Sequence, residues 1–232
     1  MRFAYELVLR AYHYSERIRT LGQHMKKFSQ AVLLLSISFF AITGVSETTQ
    51  EPEIEAISTL KKAVFAGGCF WCIEADFEKV DGVKSVVSGY TGGTADTADY
   101  KTVTYNETGH FEAVEVSYDP STVSYSELVE YFWRHIDPTN PRGQFCDRGT
   151  SYLSAIFYAN DEEKVIVANS LAELEENKPF EGEIFTQILR AKPFYLAEEY
   201  HQDYYKKNPI RYNLYRKGCA RDRRVKELWG SK

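Results

Sequence analysis

The stretch Gly68-Cys69-Phe70-Trp71-Cys72 decides the fold around it, because the chain changes there from a strand pattern to a helix pattern. An apolar run, residues 63–66, leads into a glycine pair. After it, apolar residues recur at steps of three and four, which is one face of a helix: Phe70, Ile73, Phe77 and Val80. We therefore predict that Cys69 lies at a strand-to-helix junction, at or near the helix N-terminus, where the glycines permit a tight turn.

This position predicts a reactive thiol. The amide groups and the dipole of a helix N-terminus favour an anion, and the thiolate is the nucleophilic form of cysteine. The alternative is that Cys69 is a small buried hydrophobe, as most free cysteines are. Two glycines before it and two large aromatic residues after it favour the reactive interpretation.

Length and composition indicate one globular domain with a leader. The chain has 232 residues and a net charge of −5, so it lacks the basic signature of a nucleic-acid-binding protein. Its four cysteines are too few and too scattered for a disulfide-stapled mini-domain.

The leader resembles a secretory signal. Met25-Lys26-Lys27 precedes a short apolar run, residues 31–42, which small residues follow. We predict translation from Met25, a leader over residues 1–46, a polar linker over 47–60 and a catalytic domain over 61–232. The signal predicts export to a bacterial periplasm; the alternative is an uncleaved membrane anchor, the one case in which we expect membrane contact.

Strand and helix patterns alternate irregularly after the linker. We predict strands at 63–66, 83–90, 111–118, 153–158 and 183–189, and helices at about 70–80, 124–135, 161–177, 198–205 and 223–229. This mixture of hairpin and crossover spacings predicts an α+β domain, a two-layer sandwich around a mixed β-sheet.

Glu112 is the informative exception in the strand 111–118. The period of two places it on the same face as Val114, Val116 and Tyr118. A buried carboxyl group would have a raised pKa and stay protonated near neutral pH. The alternative, an exposed residue at the start of the strand, is equally open at this point.

Five motifs in order resemble the type A peptide methionine sulfoxide reductases across residues 62–230. They are Gly68-Cys69-Phe70-Trp71, Gly89-Tyr90-Thr91-Gly92-Gly93, Gly109-His110-Phe111-Glu112-Ala113-Val114, the set Asp147, Gly149, Thr150 and Tyr152, and the segment from Phe194 to Tyr204 that holds Glu198 and His201. Each motif alone is weak, whereas all five in sequence are specific.

The resemblance implies a mixed sheet with packed helices and reduction of the S epimer of methionine sulfoxide, free or in proteins. It implies that Cys69 attacks the sulfoxide sulfur and that Glu112 protonates the oxygen. It gives Tyr90 and Tyr152 as hydrogen-bond donors to that oxygen, and Phe70 and Trp71 as the pocket for the methyl group. Asp147 would hold the polar side of the site.

The resemblance also implies a sulfenic acid at Cys69, a second cysteine that condenses with it, and a thioredoxin-like reductant. The family's glycine-rich C-terminal tail is missing here. We expect Cys219 to resolve the sulfenic acid, with Cys72 as the second candidate because Cys69-x-x-Cys72 has redox spacing. Cys146, beside Asp147, is a further attacker or relay, and three cysteines in sequence would pass the disulfide outward.

We predict no cofactor and no metal site. Three other classes of protein compete with the reductase: an exported thiol-disulfide oxidoreductase of the thioredoxin type, a structural zinc protein and a non-catalytic binding module. The first does not explain Glu112, and the second lacks paired cysteine knuckles. The third predicts that Cys69 and Glu112 are replaceable without loss of binding.

Overall fold

The computed structural model describes residues 60–230 of the chain. The strands are β1 (Lys61–Gly67), β2 (Val83–Thr91), β3 (Phe111–Tyr118), β4 (Gly143–Gln144), β5 (Asp147–Arg148), β6 (Ser154–Tyr158), β7 (Gln187–Arg190) and β8 (Phe194–Leu196). The helices are α1 (Phe70–Phe77), α2 (Tyr100–Tyr105), α3 (Tyr125–Trp133), α4 (Asp161–Asn177), α5 (Tyr204–Lys207), α6 (Pro209–Gly218) and α7 (Arg221–Trp229).

Six strands form one sheet in the order β7-β6-β1-β3-β2-β8. All neighbours are antiparallel except β6 and β7, which are parallel. The sheet is therefore mixed, and the prediction of an α+β domain is confirmed. The crossover from β6 to β7 contains α4, as a parallel connection requires.

The core lies where helices cover the central strands. Phe65 of β1 is completely buried, and its ring stacks on Phe77 of α1 and Phe132 of α3, with centroids 4.8 Å and 5.1 Å away. Ser124 begins α3 with a capping box, in which its hydroxyl accepts from the Glu127 amide. This packing fixes the end of β1, and with it the start of α1, against the sheet.

Two helices carry no clear signal in the sequence. Helix α2 is short and starts because the Asp99 side chain accepts a hydrogen bond from the Thr102 amide. Helix α6 starts at Pro209 and fully buries only Tyr212, so it has no apolar stripe. The helix predicted over 198–205 is wrong in extent, since those residues form mostly turns before α5.

The structure describes no helix that is long and apolar enough to cross a bilayer within residues 60–230. The predicted signal segment lies outside these residues.

Candidate active site

Cys69 lies where the sequence places it, between β1 and α1. It is the N-cap residue of α1, and the amide of Cys72, one turn later, donates to its carbonyl at 3.1 Å. Gly68 has φ of 80°, and a Cβ atom there would lie 2.5 Å from Cβ of Gln144. A glycine is required at this turn for both reasons, and it lets Gln144 pack closely against the turn.

A small cavity of about 70 Å³ opens at this junction. Its lining residues come from α1, α2, β3, the loop around β5 and α6: Cys69, Phe70, Trp71, Tyr100, Glu112, Asp147, Tyr152 and Tyr215. The structure thus brings together every residue predicted for catalysis or substrate binding except Tyr90.

Glu112 is buried, with 2% of its surface exposed, so it is not at an exposed strand start. The backbone amide of Phe70 donates to its Oε2 at 3.1 Å. Burial outweighs the Phe70 amide and the Tyr152 hydroxyl, which both favour the anion, and raises the pKa of Glu112 to about 8. The carboxyl group is therefore largely protonated at neutral pH, which is the state that a general acid needs.

The expectation that the helix N-terminus lowers the pKa of Cys69 is wrong for this state of the protein. Burial raises the pKa of the Cys69 thiol, and contact with Cys72 and the nearby carboxyl groups of Glu112 and Asp147 add to the effect. Sequence reasoning counted the helix dipole alone. It could not show that Glu112 takes the free amide of Phe70.

Tyr90 requires a correction. It is completely buried, and its hydroxyl donates to Oε2 of Glu198 at 2.9 Å rather than lining the cavity. Tyr100 lines the cavity instead, with Tyr152. The other carboxylate oxygen of Glu198 accepts from the Tyr100 amide at 2.9 Å. Tyr90 thus contributes to the site through Glu198, which holds the start of α2.

Tyr215 is a second cavity residue that sequence reasoning missed. Its hydroxyl donates to Oδ2 of Asp147 at 2.5 Å. Burial raises the pKa of Asp147, and Tyr215 partly offsets that rise. Tyr215 lies on α6, whose sequence gave no sign of a helix, so no motif connected it with the site.

Trp71 is held on two sides. Its ring stacks on Tyr204 with centroids 3.7 Å apart, and its indole Nε1 donates to Nδ1 of His201 at 3.0 Å. Burial lowers the pKa of His201 to about 4, so its ring is neutral and can accept this bond. His201 therefore supports the cavity wall that Trp71 forms.

The four cysteines form two pairs. Cys146 and Cys219 are joined by a disulfide, whereas Cys69 and Cys72 are free and buried. A carboxylate oxygen of Asp147 and the sulfur atoms of Cys146 and Cys219 all lie within 4.8 Å of one another. In this state Cys219 holds no free thiol, and the thiol in contact with Cys69 is that of Cys72.

The cavity combines a thiol, a protonated carboxyl group, phenol donors and two apolar walls. A thiol can attack an electrophilic sulfur, while the acid and the phenols can protonate and hold an oxygen bound to that sulfur. Apolar walls alone discriminate weakly between a thioether and its sulfoxide, but oriented donors on the oxygen discriminate strongly.

Comparison with known proteins gives the same answer as the geometry. The family model for peptide methionine sulfoxide reductase matches residues 61–232. Peptide methionine sulfoxide reductase MsrA of Bacillus subtilis is 49% identical over 170 residues, which are 73% of this chain and 96% of that protein.

Peptide methionine sulfoxide reductase MsrA/MsrB of Vibrio cholerae is 41% identical over 87% of this chain, which spans about half (52%) of that longer relative. Among solved structures, reduced Mxr1 from Saccharomyces cerevisiae is 34% identical, with a TM-score of 0.62 over 66% of this chain and 88% of Mxr1. With six cavity residues matching the motifs and a family model covering the whole described domain, the chain belongs to the peptide methionine sulfoxide reductase family.

Proposed function

We propose that the protein reduces the S epimer of methionine sulfoxide, free or in proteins, to methionine. The observation that carries this proposal is the cavity in which the Cys69 thiol and the protonated Glu112 carboxyl group lie together. Phe70 and Trp71 form the walls for the methyl group, and Tyr100 and Tyr152 hold the oxygen.

The chemistry balances with these groups. The sulfur of Cys69 attacks the sulfoxide sulfur and forms an S–S bond as Glu112 protonates the oxygen. The hydroxyl group then moves from the methionine sulfur to the Cys69 sulfur, so that the S–O bond to methionine and the S–S bond both break. The oxygen ends on Cys69 as a sulfenic acid, and the proton that Cys69 loses on attack replaces the one that Glu112 gave. Methionine sulfoxide and a thiol thus become methionine and a sulfenic acid, the reversible first stage of cysteine oxidation.

The test is turnover of the two separated sulfoxide epimers of a methionine peptide, with dithiothreitol as reductant. We expect consumption of the S epimer alone, and complete loss of activity in Cys69→Ser. A well-folded wild-type protein that reduces neither epimer would exclude this function. A protein that exchanges disulfides without reducing sulfoxides would indicate the thioredoxin-type alternative.

For recycling, we propose that Cys72 resolves the sulfenic acid and that the disulfide then moves outward. The reduced Cys146 and Cys219 thiols would exchange with the Cys69–Cys72 disulfide, which restores the active-site thiols and oxidises the outer pair. Tyr215 supports this route, because it lies in the cavity with Cys69 and hydrogen-bonds Asp147, the neighbour of Cys146. The distribution in the structure, inner thiols free and outer pair oxidised, corresponds to the stage after this exchange.

This route predicts that the effect of Cys219→Ser on turnover depends on which reductant is used. Cys219→Ser should slow turnover with a protein dithiol such as thioredoxin by roughly tenfold, since an exposed disulfide is the one that a protein thiol can reach. Small dithiothreitol should sustain turnover in the same variant. Equal loss with both reductants would indicate that Cys219 itself attacks the Cys69 sulfenic acid.

We further propose that the protein is exported and that its reductant is a thioredoxin-like domain outside the cytosol. The basic residues before the apolar run 31–42 support export, and a disulfide at Cys146–Cys219 suits an oxidising compartment. Fractionation of the producing cells with mass spectrometry of the N-terminus tests this. Recovery of the protein with residues 25–46 intact in the cytosol would contradict it.

A further inference from the structure

A buried group of charges lies next to Cys72, where α6 and α7 pack against α1. Asp76 follows Cys72 by one helical turn, so both point toward α6 and α7. Asp76 accepts from Nη1 of Arg216 at 3.1 Å, and Nε of Arg221 lies 3.8 Å from the same carboxylate. The third cation, Lys79, pairs with Asp76 at 3.0 Å from an exposed position.

Positive charge exceeds negative charge in the buried part of this group. The side chains of Arg216 and Arg221 are 12% and 3% exposed, and Asp76 is the carboxylate buried with them. Asp222 also pairs with Arg216, at 2.6 Å, but its side chain is 65% exposed, so water screens its charge. Asp147 also interacts with Arg221, but it is less buried than Asp76 and burial raises its pKa, so it carries less negative charge. Around Asp76, one buried carboxylate thus faces two buried guanidinium groups.

Arg221 shows the imbalance most directly. Its Nη1 and Nη2 donate to the neutral carbonyl oxygens of Gly67 and His135, at 3.1 Å and 2.9 Å. Its Nε is buried and has no hydrogen-bond partner among the described residues. A buried cation is costly unless an anion compensates it, so this guanidinium favours a further negative charge nearby.

We propose that Cys72 supplies this charge: it carries the thiolate of the active-site pair, stabilised by Arg216 and Arg221, and attacks the Cys69 sulfenic acid. This inference rests on the proposed function, because there the sulfenic acid is the product of sulfoxide reduction. In the step, the Cys72 thiolate forms the disulfide bond with the sulfur of Cys69, and the S–O bond breaks. Hydroxide leaves with the bonding electron pair and takes a proton from the medium to become water.

The ionisable groups that face Cys72 come from every element packed against it. They are Cys69, Asp76, Glu112, Tyr212, Arg216 and Arg221. A hydrogen bond from the Cys69 thiol lowers the pKa of Cys72 most, and Arg221 and Arg216 lower it further, against burial and Asp76. Arg216 also lies 3.5 Å from the Cys72 carbonyl oxygen, through Nη1. The two thiols are therefore unequal, although they are one helical turn apart.

The first experiment locates the thiolate without substrate. The ultraviolet absorbance of thiolate is titrated against pH in the full chain with Cys146→Ser and Cys219→Ser, so that only the inner pair contributes. We expect one thiolate to appear clearly below the pH at which an ordinary cysteine ionises, and the other above it. Cys72→Ser should remove the lower transition. A low-pH thiolate that persists in Cys72→Ser, or the absence of any such transition, would overturn the inference.

The second experiment tests the arginines. Arg216→Met should raise the midpoint by about one pH unit and prolong the life of the sulfenic acid about tenfold near neutral pH, because the thiolate fraction falls. The first-turnover burst of methionine should remain one per chain. Arg216→Lys keeps the positive charge, so its thiolate midpoint and sulfenic acid lifetime should be close to those of the wild type. The matched control Arg223→Met, 77% exposed on α7, should change neither the midpoint nor the lifetime.

These readouts separate the two proposals. Absence of the methionine burst in the wild type would contradict the proposed function. The thiolate titration needs no substrate, so it would still test where the thiolate lies. An unchanged midpoint in a folded Arg216→Met variant would contradict the electrostatic role. If that variant does not fold, the Cys72→Ser titration still decides where the thiolate lies.

Discussion

Two buried glutamates, Glu112 on β3 and Glu74 on α1, are equally buried but have different neighbours. Each has no more than 2% of its surface exposed, and burial raises the pKa of Glu112 to about 8 and that of Glu74 to about 7. Both oxygens of Glu74 have partners, the Ser88 hydroxyl and the Asp203 amide, each at 2.9 Å. Glu112 instead lines the cavity.

The comparison shows that a raised pKa does not by itself identify a catalytic acid. Perturbed carboxyl groups occur at structural positions as well as functional ones. What distinguishes Glu112 is that it lines the cavity together with Cys69. Glu74 ties α1 to β2 and to the turn before Tyr204, which stacks on Trp71.

The largest expected difference between the two is in turnover. Glu112→Gln should lower kcat with the S epimer by about 10²–10⁴-fold, the usual contribution of a positioned acid. Glu74→Gln, the matched control, should leave kcat within about threefold, since it meets no reacting atom. Steady-state kinetics of the two variants checks this, and equal losses would remove the distinction between them.

The second prediction concerns stability, where the two glutamates should behave alike. A carboxyl group with a raised pKa in the folded state holds its proton between its unfolded value, about 4.3, and its folded value. Folding then takes up a proton, so the free energy of unfolding falls as pH rises through that window. For Glu112 the window ends near pH 8, and for Glu74 near pH 7.

Glu112→Gln should therefore gain stability relative to wild type, on the order of 4 kcal/mol between about pH 5 and about pH 8. Glu74→Gln should show the same sign with a smaller change that ends near pH 7. Urea denaturation across this pH range measures both. A wild type that becomes more stable toward pH 8, with no effect of either substitution, would show that neither carboxyl group is protonated when folded.

The sequence identified Glu112 as a candidate buried acid but gave no sign of Glu74. The reason is that a strand and a helix repeat their side-chain directions differently. On a strand, a carboxyl in phase with Val114 and Val116 stands out because alternate residues face one side. On α1, nearly every residue is buried from several directions, by α6 as well as by the sheet, so no polar face contrasts with Glu74. Periodicity detects burial from one side only.

Local sequence patterns predicted most of the fold and most of the site, and the residues that they missed share one property. The strand at 111–118, the helix at 161–177 and the junction at Cys69 depend on local sequence, and each was confirmed. Tyr100 and Tyr215 enter the cavity from α2 and α6, which depend on caps and distant contacts rather than on an apolar stripe. Propensity is a weak guide to such helices, since tertiary contacts decide whether they form.

The smallest expected effect on kcat distinguishes two tyrosines. The sequence places Tyr90 in the site, whereas in the structure Tyr100 lines the cavity. Tyr100→Phe removes a hydroxyl from the cavity, where the pKa of Tyr100 is raised to about 12 by burial, so the group is a neutral donor. Tyr90→Phe removes a hydroxyl from Glu198, outside the cavity lining. Each change deletes one oxygen atom and leaves the ring, so the pair is matched.

Tyr100→Phe should lower kcat about tenfold, because one donor to the developing charge is lost while Tyr152 remains. Tyr90→Phe should leave kcat within about threefold and cost roughly 1 kcal/mol of stability, the value of a buried hydrogen bond. Steady-state kinetics and urea denaturation of both variants measure these effects. A larger loss of kcat in Tyr90→Phe would restore Tyr90 as the donor to the sulfoxide oxygen. It would also mean that the cavity rearranges around the substrate, with Glu198 releasing the Tyr90 hydroxyl as the sulfoxide enters.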